Sequence, residues 1–356
     1  MPQHHPQQLK WKKLLHGRRW VCLIVEAGNF GGSAVSYPLA VVVPTYNRCD
    51  ALKQCMKHLE EQARKDFEVV IVDDGSTDST EVWVSDYLKR TPLALRYFRQ
   101  ENSGPARARN FAISVIEAPI ALLIGDDIFP APQFTALHMQ LHEQRPEASV
   151  VGLGLTVLDE EGQQITPFMR WEGTRGAQFL YGELIAGIKP DWKHFYTSNL
   201  SLKTSLLRIF PFDESFPYAA MEDIEAACRI EAEHGLEMVF LPDAVARHLH
   251  PMNFVGACRR IEKVGESTAY FDKLWPGRLP RKPHPMAVRL SSMLTRMPLV
   301  MRIVEATANQ SLKIACPNRL MRFVLSHYYD RGYERYICRT NNPQRPVEHI
   351  EHRSAN

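Results

Sequence analysis

Cysteine pairs at metal-ligand or redox spacing are missing from this chain. Its seven cysteines, at positions 22, 49, 55, 228, 258, 316 and 338, are scattered, with no C-x-x-C. That argues against a thiolate zinc site and a disulfide scaffold, and it suits a reducing, cytoplasmic setting. Also missing are G-x-x-x-x-G-K-[ST] and a G-x-G-x-x-G after the first apolar run, so neither a P-loop nor a dinucleotide fingerprint is present. No internal repeat or low-complexity segment occurs. The longest uncharged stretch, residues 28–47, is about 20 residues, enough in length for a membrane span. Gly31, Gly32, Pro38 and Pro44 break any helix there, and "LAVVVP" reads better as a buried strand. The N-terminus is basic (Lys10, Lys12, Lys13, Arg18, Arg19), but the apolar piece that follows is short and interrupted by Glu26. No signal peptide is expected, and residues 1–36 are set apart as an N-terminal extension.

What is there is ample for a folded core: 356 residues, 45% hydrophobic and 23% charged. From residue 39 onward short apolar runs alternate with amphipathic segments. Residues 39–44, 67–74, 93–100 and 120–125 read as strands, separated by helical patterns. Hydrophobicity in these strands is continuous rather than alternating, the mark of burial on both faces. The expectation is an α/β domain, a mostly parallel sheet flanked by helices, over residues 37–255. The Pro/Gly-rich "WPGRLPRKPHP" precedes a basic, mainly helical C-terminal region, placed at residues 256–356.

Net charge is +3, but its distribution is uneven. From Ala246 to the end there are about 19 Lys and Arg against about 8 Asp and Glu. A solvated surface explains any single cluster, while a basic third with apolar helical stretches also suits peripheral contact with an anionic membrane face.

Ligands of such sheets bind beyond the carboxyl ends of the strands. Three strand ends carry polar clusters: "PTYNR", "DDGSTDS" and "GDD". Asp126 and Asp127 stand side by side at the third, and an ionised pair at the end of a core strand needs water or a counter-charge. A hard cation such as Mg²⁺ takes carboxylate and phosphate oxygens together. Gly104 and Pro105 start a helix whose free N–H groups, with Arg107 and Arg109, suit negative charge. An acidic site of this kind does not favour nucleic acid.

The runs "VVVPTYNR", "VVIVDDGSTDST", "ENSGPARARN", "LLIGDDIFP" and "MEDIEAACR", in this order across residues 39–250, resemble the inverting nucleotide-sugar glycosyltransferases of family 2 with the GT-A, Rossmann-like fold. The resemblance implies transfer of a sugar from a nucleotide-diphosphate donor, UDP being the common case, to a glycan or lipid-linked hydroxyl acceptor, with Mg²⁺ or Mn²⁺ as cofactor. It further implies that Pro44, Thr45 and Tyr46 border the nucleotide base and that Asp74 accepts from it. Arg109 would reach towards the nucleotide, Asp126 would bind the ribose, and Asp127 would ligate the metal. His248, rather than His250, would face the metal and diphosphate. Asp223 would be the general base, with Glu222 sharing that role or organising the helix start; as plain first-turn carboxylates both would simply favour the helix dipole. Asp73 has an ordinary alternative as a turn cap on Ser76 or Thr77. One departure stands out: Gly125 replaces the first aspartate of the D-x-D found in many relatives. It is the one motif-level hint of the alternative, a catalytically inactive sugar-nucleotide or glycan-binding module of the same fold.

Overall fold

The computed structural model describes residues 14–16, 19–27, 36–175, 179–279, 306–307 and 318–341. Their strands form one mixed sheet in the order β1 (Leu14–His16), β2 (Arg19–Ala27), β5 (Ala94–Arg99), β4 (Phe67–Asp73), β3 (Leu39–Thr45), β6 (Ile120–Ile124), β9 (Asn199–Lys203), β8 (Val150–Leu158), β10 (Glu237–His248), β7 (Ile128–Pro130). At its centre lie β3 (Leu39–Thr45), β4 (Phe67–Asp73), β5 (Ala94–Arg99) and β6 (Ile120–Ile124), all mutually parallel. Every residue of β4 and of β6 is buried, as the unbroken apolar runs require. α1 (Cys49–Glu60), α2 (Thr80–Tyr87) and α3 (Pro105–Val115) supply the crossovers. α1 buries Cys49, Leu52, Cys55, Met56 and Leu59, the stripe of a helix lying on a sheet.

Beyond β6 the sheet turns mixed. β9 (Asn199–Lys203) runs antiparallel to both β6 and β8 (Val150–Leu158), while β10 (Glu237–His248) is parallel to β8 and antiparallel to the short β7 (Ile128–Pro130). α4 (Phe134–Gln144) precedes β8. Between β8 and β9 come α5 (Pro167–Arg175) and α6 (Tyr181–Ile185); α7 (Thr204–Ile209) and α8 (Glu222–Glu233) follow β9.

The N-terminal extension contributes strands as well: β1 (Leu14–His16) pairs with β2 (Arg19–Ala27), which lies antiparallel against β5. Glu26 looked like an interruption of an apolar run, yet it falls inside the ladder opposite Arg96. A ladder needs backbone groups at each step, not apolar side chains.

The described residues divide into two compact units: those of Met1–Ser215 with Glu222–Met252, and those of Phe216–Met221 with Asn253–Asn356. In the second, α9 (Phe254–Leu274) packs on α10 (Asn318–Asn341). Gly265 and Gly332 let the two backbones meet, because a Cβ at Gly332 would overlap the carbonyl of Glu262. The buried Glu262 pairs with Arg331 and Arg335, and the buried Glu266 lies 3.3 Å from Arg335 and 3.6 Å from Arg339. Part of the expected basic helical region, residues 280–305, 308–317 and 342–356, lies outside the described residues. No described helix is long and apolar enough to cross a membrane.

Candidate active site

Parallel register brings the polar strand ends to one rim. Thr45 lies opposite Asp73 across β3 and β4, and β6 runs alongside β3 to end just before Gly125. Asn47 stitches the first two loops together: its side-chain oxygen accepts from the N–H of Thr77 (2.7 Å), and its own N–H donates to Ser76 Oγ (2.9 Å). It adopts φ 52°, a left-handed conformation that Asn tolerates better than most residues.

Asp73 takes its ordinary role. It accepts from the N–H of Ser76 and from the Tyr97 hydroxyl, each at 2.7 Å. Asp74 is turned to the third loop, accepting from Gln100 Nε2, from Ser103 N–H and from Gly104 N–H at 2.7–2.9 Å. It thereby fixes Gly104 at φ 90° as the entry to α3. Pro44, next to last in β3, is half-buried, and Tyr46 is 45% exposed on the rim.

Asp126 and Asp127 are both buried, and the counter-charge they require is present. Thr45 Oγ1 donates to Asp126 Oδ2 at 2.7 Å. The Arg48 guanidinium reaches Asp127 Oδ2 at 2.5 Å and Asp126 Oδ1 at 3.4 Å. Burial, then the charge of Asp127, pushes Asp126 up to about 6 despite Arg48 and Thr45. For Asp127 burial also pushes upward, but the hydrogen bond and charge of His248, with Arg48, prevail and hold it well below the usual carboxylate range.

His248 reaches this carboxylate through strand register. β7 and β10 pair His248 with Ile128, and the N–H of Leu249 donates to the Asp127 carbonyl. His248 Nε2 then lies 3.3 Å from Asp127 Oδ2, and His250 stacks on His248 with ring centroids 4.7 Å apart. One donor atom from each of Asp127, His248 and His250 falls within 4.8 Å of the others. A carboxylate with two imidazoles on one side is a donor set that fits a divalent cation. His250 thus lies in the same cluster as His248.

Gly125 has a steric reason. A Cβ there would sit 2.6 Å from Asp127 Oδ1, so the position that carries an aspartate in many relatives here gives room to the Asp127 carboxylate.

At the start of α8, Glu222 is buried and Asp223 partly so. Arg109, buried on α3, lies 3.3 Å from Glu222 Oε1 and over the Phe212 ring. Asp223 accepts from the N–H of Ile224 at 2.8 Å. Burial pushes both carboxyls up; the charge of Asp223 raises Glu222 further, and Arg109 opposes the shift in both.

Sequence reasoning missed Arg48 and Asn47, although both lie in the quoted "PTYNR". The available signal was a basic residue after one strand end when the next carries two carboxylates.

Residues 40–202 match the family description Glycosyl transferase family 2. That match takes in a little under half of the chain. The chain is similar to the validoxylamine A glucosyltransferase of Streptomyces hygroscopicus subsp. jinggangensis, at 32% identity over 225 residues, 56% of this chain and 52% of the relative. It is also similar to the glycosyltransferase GlyG of Streptococcus pneumoniae serotype 4, at 35% identity, 47% of this chain and 54% of the relative. The chain thus spans about half the length of these curated relatives. Among solved structures, a mannosyltransferase from Pyrobaculum calidifontis in complex with GDP-Man and Mn²⁺ shares the fold, with a TM-score of 0.56 at 20% identity, covering 85% of this chain and 87% of that one. The fold is of the GT-A type.

Proposed function

We propose that this protein transfers a sugar from a nucleoside-diphosphate sugar to a hydroxyl acceptor with inversion at the anomeric carbon. The observation that carries the reading is the Asp127, His248 and His250 cluster at the strand-end rim of a family 2 domain, beside a buried Asp126. A divalent cation held there would neutralise charge on the donor diphosphate. Imidazole nitrogens favour Mn²⁺ over Mg²⁺, which prefers oxygen ligands and bound water. The mannosyltransferase of the same fold was solved with Mn²⁺.

The chain's own residues supply the rest. Tyr46, exposed beside Pro44 and Thr45, offers a ring face to the base, and Asp126 accepts from the ribose hydroxyls. Asp223 takes the proton of the acceptor hydroxyl as its oxygen bonds to the anomeric carbon and the diphosphate departs from the opposite face. Burial raises the proton affinity of Asp223, which suits a general base. Glu222, tied to Arg109, holds the start of α8 in place rather than meeting substrate. A UDP-sugar is the first donor to try, and GDP- and dTDP-sugars complete the panel.

Asp223→Asn should keep donor affinity and lose at least about 100-fold in transfer. NMR of the product should show inverted configuration. Near-normal turnover in the variant removes Asp223 from the base role, and retained configuration removes inversion. A wild-type protein that binds donor but never turns it over, with any acceptor or water, favours the inactive binding module instead. Peripheral contact with an anionic, polysaccharide- or glycolipid-bearing membrane face is proposed from the basic C-terminal third. It requires sedimentation with anionic but not neutral vesicles, weakening as salt screens the charge.

A further inference from the structure

Arg48 has a fixed base and a movable head. Its backbone caps α1, with its carbonyl accepting from Leu52 N–H at 3.0 Å, and the preceding Asn47 is pinned to the loop at Ser76 and Thr77. Its side chain is 49% exposed, yet its NH1 group lies on two buried carboxylates of the rim, Asp126 and Asp127. The oxygen it holds most closely, Asp127 Oδ2, is the one that faces His248.

We propose that Arg48 is a built-in counter-ion that exchanges places with the metal–nucleotide. It neutralises Asp126 and Asp127 while the site awaits its donor, yields Asp127 Oδ2 to the cation, and turns to the diphosphate that arrives with it. This rests on the metal–nucleotide reading given above. Two cationic centres on one carboxylate oxygen repel, so cation and guanidinium compete for Oδ2. The freed guanidinium stays tethered at the rim, where a planar fork of N–H donors matches phosphate oxygens. The carboxylates are thus never left buried and unpaired, a costly state. The exchange also orders events: a cation alone must displace Arg48 without compensation, whereas a cation with a diphosphate gives Arg48 a new partner. Metal and nucleotide therefore bind with positive coupling that depends on this side chain.

The test uses the full chain and its Arg48→Gln and Arg48→Lys variants, with thermal melts to confirm folding. Free Mn²⁺ is titrated by electron paramagnetic resonance, first alone, then UDP and GDP by calorimetry at saturating Mn²⁺. Arg48→Gln should bind Mn²⁺ alone roughly three- to tenfold more tightly, the worth of one half-exposed charge-assisted contact, and the preferred nucleotide at least about threefold more weakly. Arg48→Lys, which keeps the charge without the fork, should fall between wild type and Arg48→Gln on both measures. Unchanged or weaker Mn²⁺ binding by Arg48→Gln overturns the exchange and leaves Arg48 as a brace for the aspartates. Unchanged nucleotide binding overturns the handover. A wild-type protein that binds neither Mn²⁺ nor nucleotide refutes the metal–nucleotide reading itself, and the exchange falls with it.

Discussion

Acidification from pH 7 to 4.5 should remove about 2.5 kcal/mol of stability through one side chain outside the rim, His138. His138 is fully buried on α4, with Nδ1 2.8 Å from Ser201 Oγ and Nε2 2.9 Å from Asn199 Oδ1. Burial pushes its pKa from 6.5 to about 4, and the Asn199 bond restores only part of the loss. The unfolded chain therefore takes up this proton near pH 6.5, while the folded chain resists until about pH 4. The stabilisation by the neutral ring is whole above pH 6.5, declines as pH falls towards 4, and levels off below. A displacement of about 2.5 pH units at about 1.36 kcal/mol each gives about 3.4 kcal/mol in full, of which about 2.5 is lost by pH 4.5. His142, driven to about 3 by burial, Lys203 and His138, acts in the same direction. Asp126 and Glu222, raised in the fold, act oppositely, since the folded state then gains from protonation. Their opposition makes the wild-type curve alone a poor test, so His138→Gln is compared with wild type by urea denaturation across the range. The variant is less stable at pH 7, having lost part of the network, and the gap should narrow by about 2.5 kcal/mol at pH 4.5. A gap constant across that range refutes the reasoning.

Asp127→Asn should abolish the Mn²⁺-dependent rise in melting temperature given by a nucleoside diphosphate while the apo melting temperature stays near that of wild type; an intact rise removes Asp127 from the metal site. Gly125→Ala should rotate the Asp127 carboxylate away and cost roughly tenfold or more in Mn²⁺ affinity by paramagnetic resonance, with little change in far-ultraviolet dichroism. Unaltered affinity would mean that the carboxylate works equally well in another rotamer.

The central strands were legible because burial on both faces writes itself as an unbroken apolar run, as in "EVVIVD" and "IALLI". So was the rim, since polar clusters at the ends of parallel strands must converge. Less legible were contacts between distant positions. Arg48 meets residues 78 and 79 positions away, and no local pattern announces that pairing. Arg109 carries a basic side chain that suits phosphate as well as carboxylate, and only the packing of α3 near α8 reveals Glu222 as its partner. β2 was hidden because its ladder follows backbone groups while its side chains include Glu26. His250 was set against His248 as an alternative because alternation along a strand puts i and i+2 on one face only while the strand lasts; β10 ends at His248, and the stacking of the two rings depends on the turn that follows.

The pairing of β7 with β10 has a consequence for biosynthesis. Asp127 leaves the ribosome about 120 residues before His248 and His250, and the whole of β8, β9 and α8 is made in between. The parallel core can form early, with Arg48 already at hand for the two aspartates, but the three-donor cluster closes only when the last strand docks on β7 and β8. A nascent or truncated chain that stops short of β10 thus has most of the rim and neither His248 nor His250, so any competence to hold a cation there would mark completion of the first compact unit, before residues 253–356 are made.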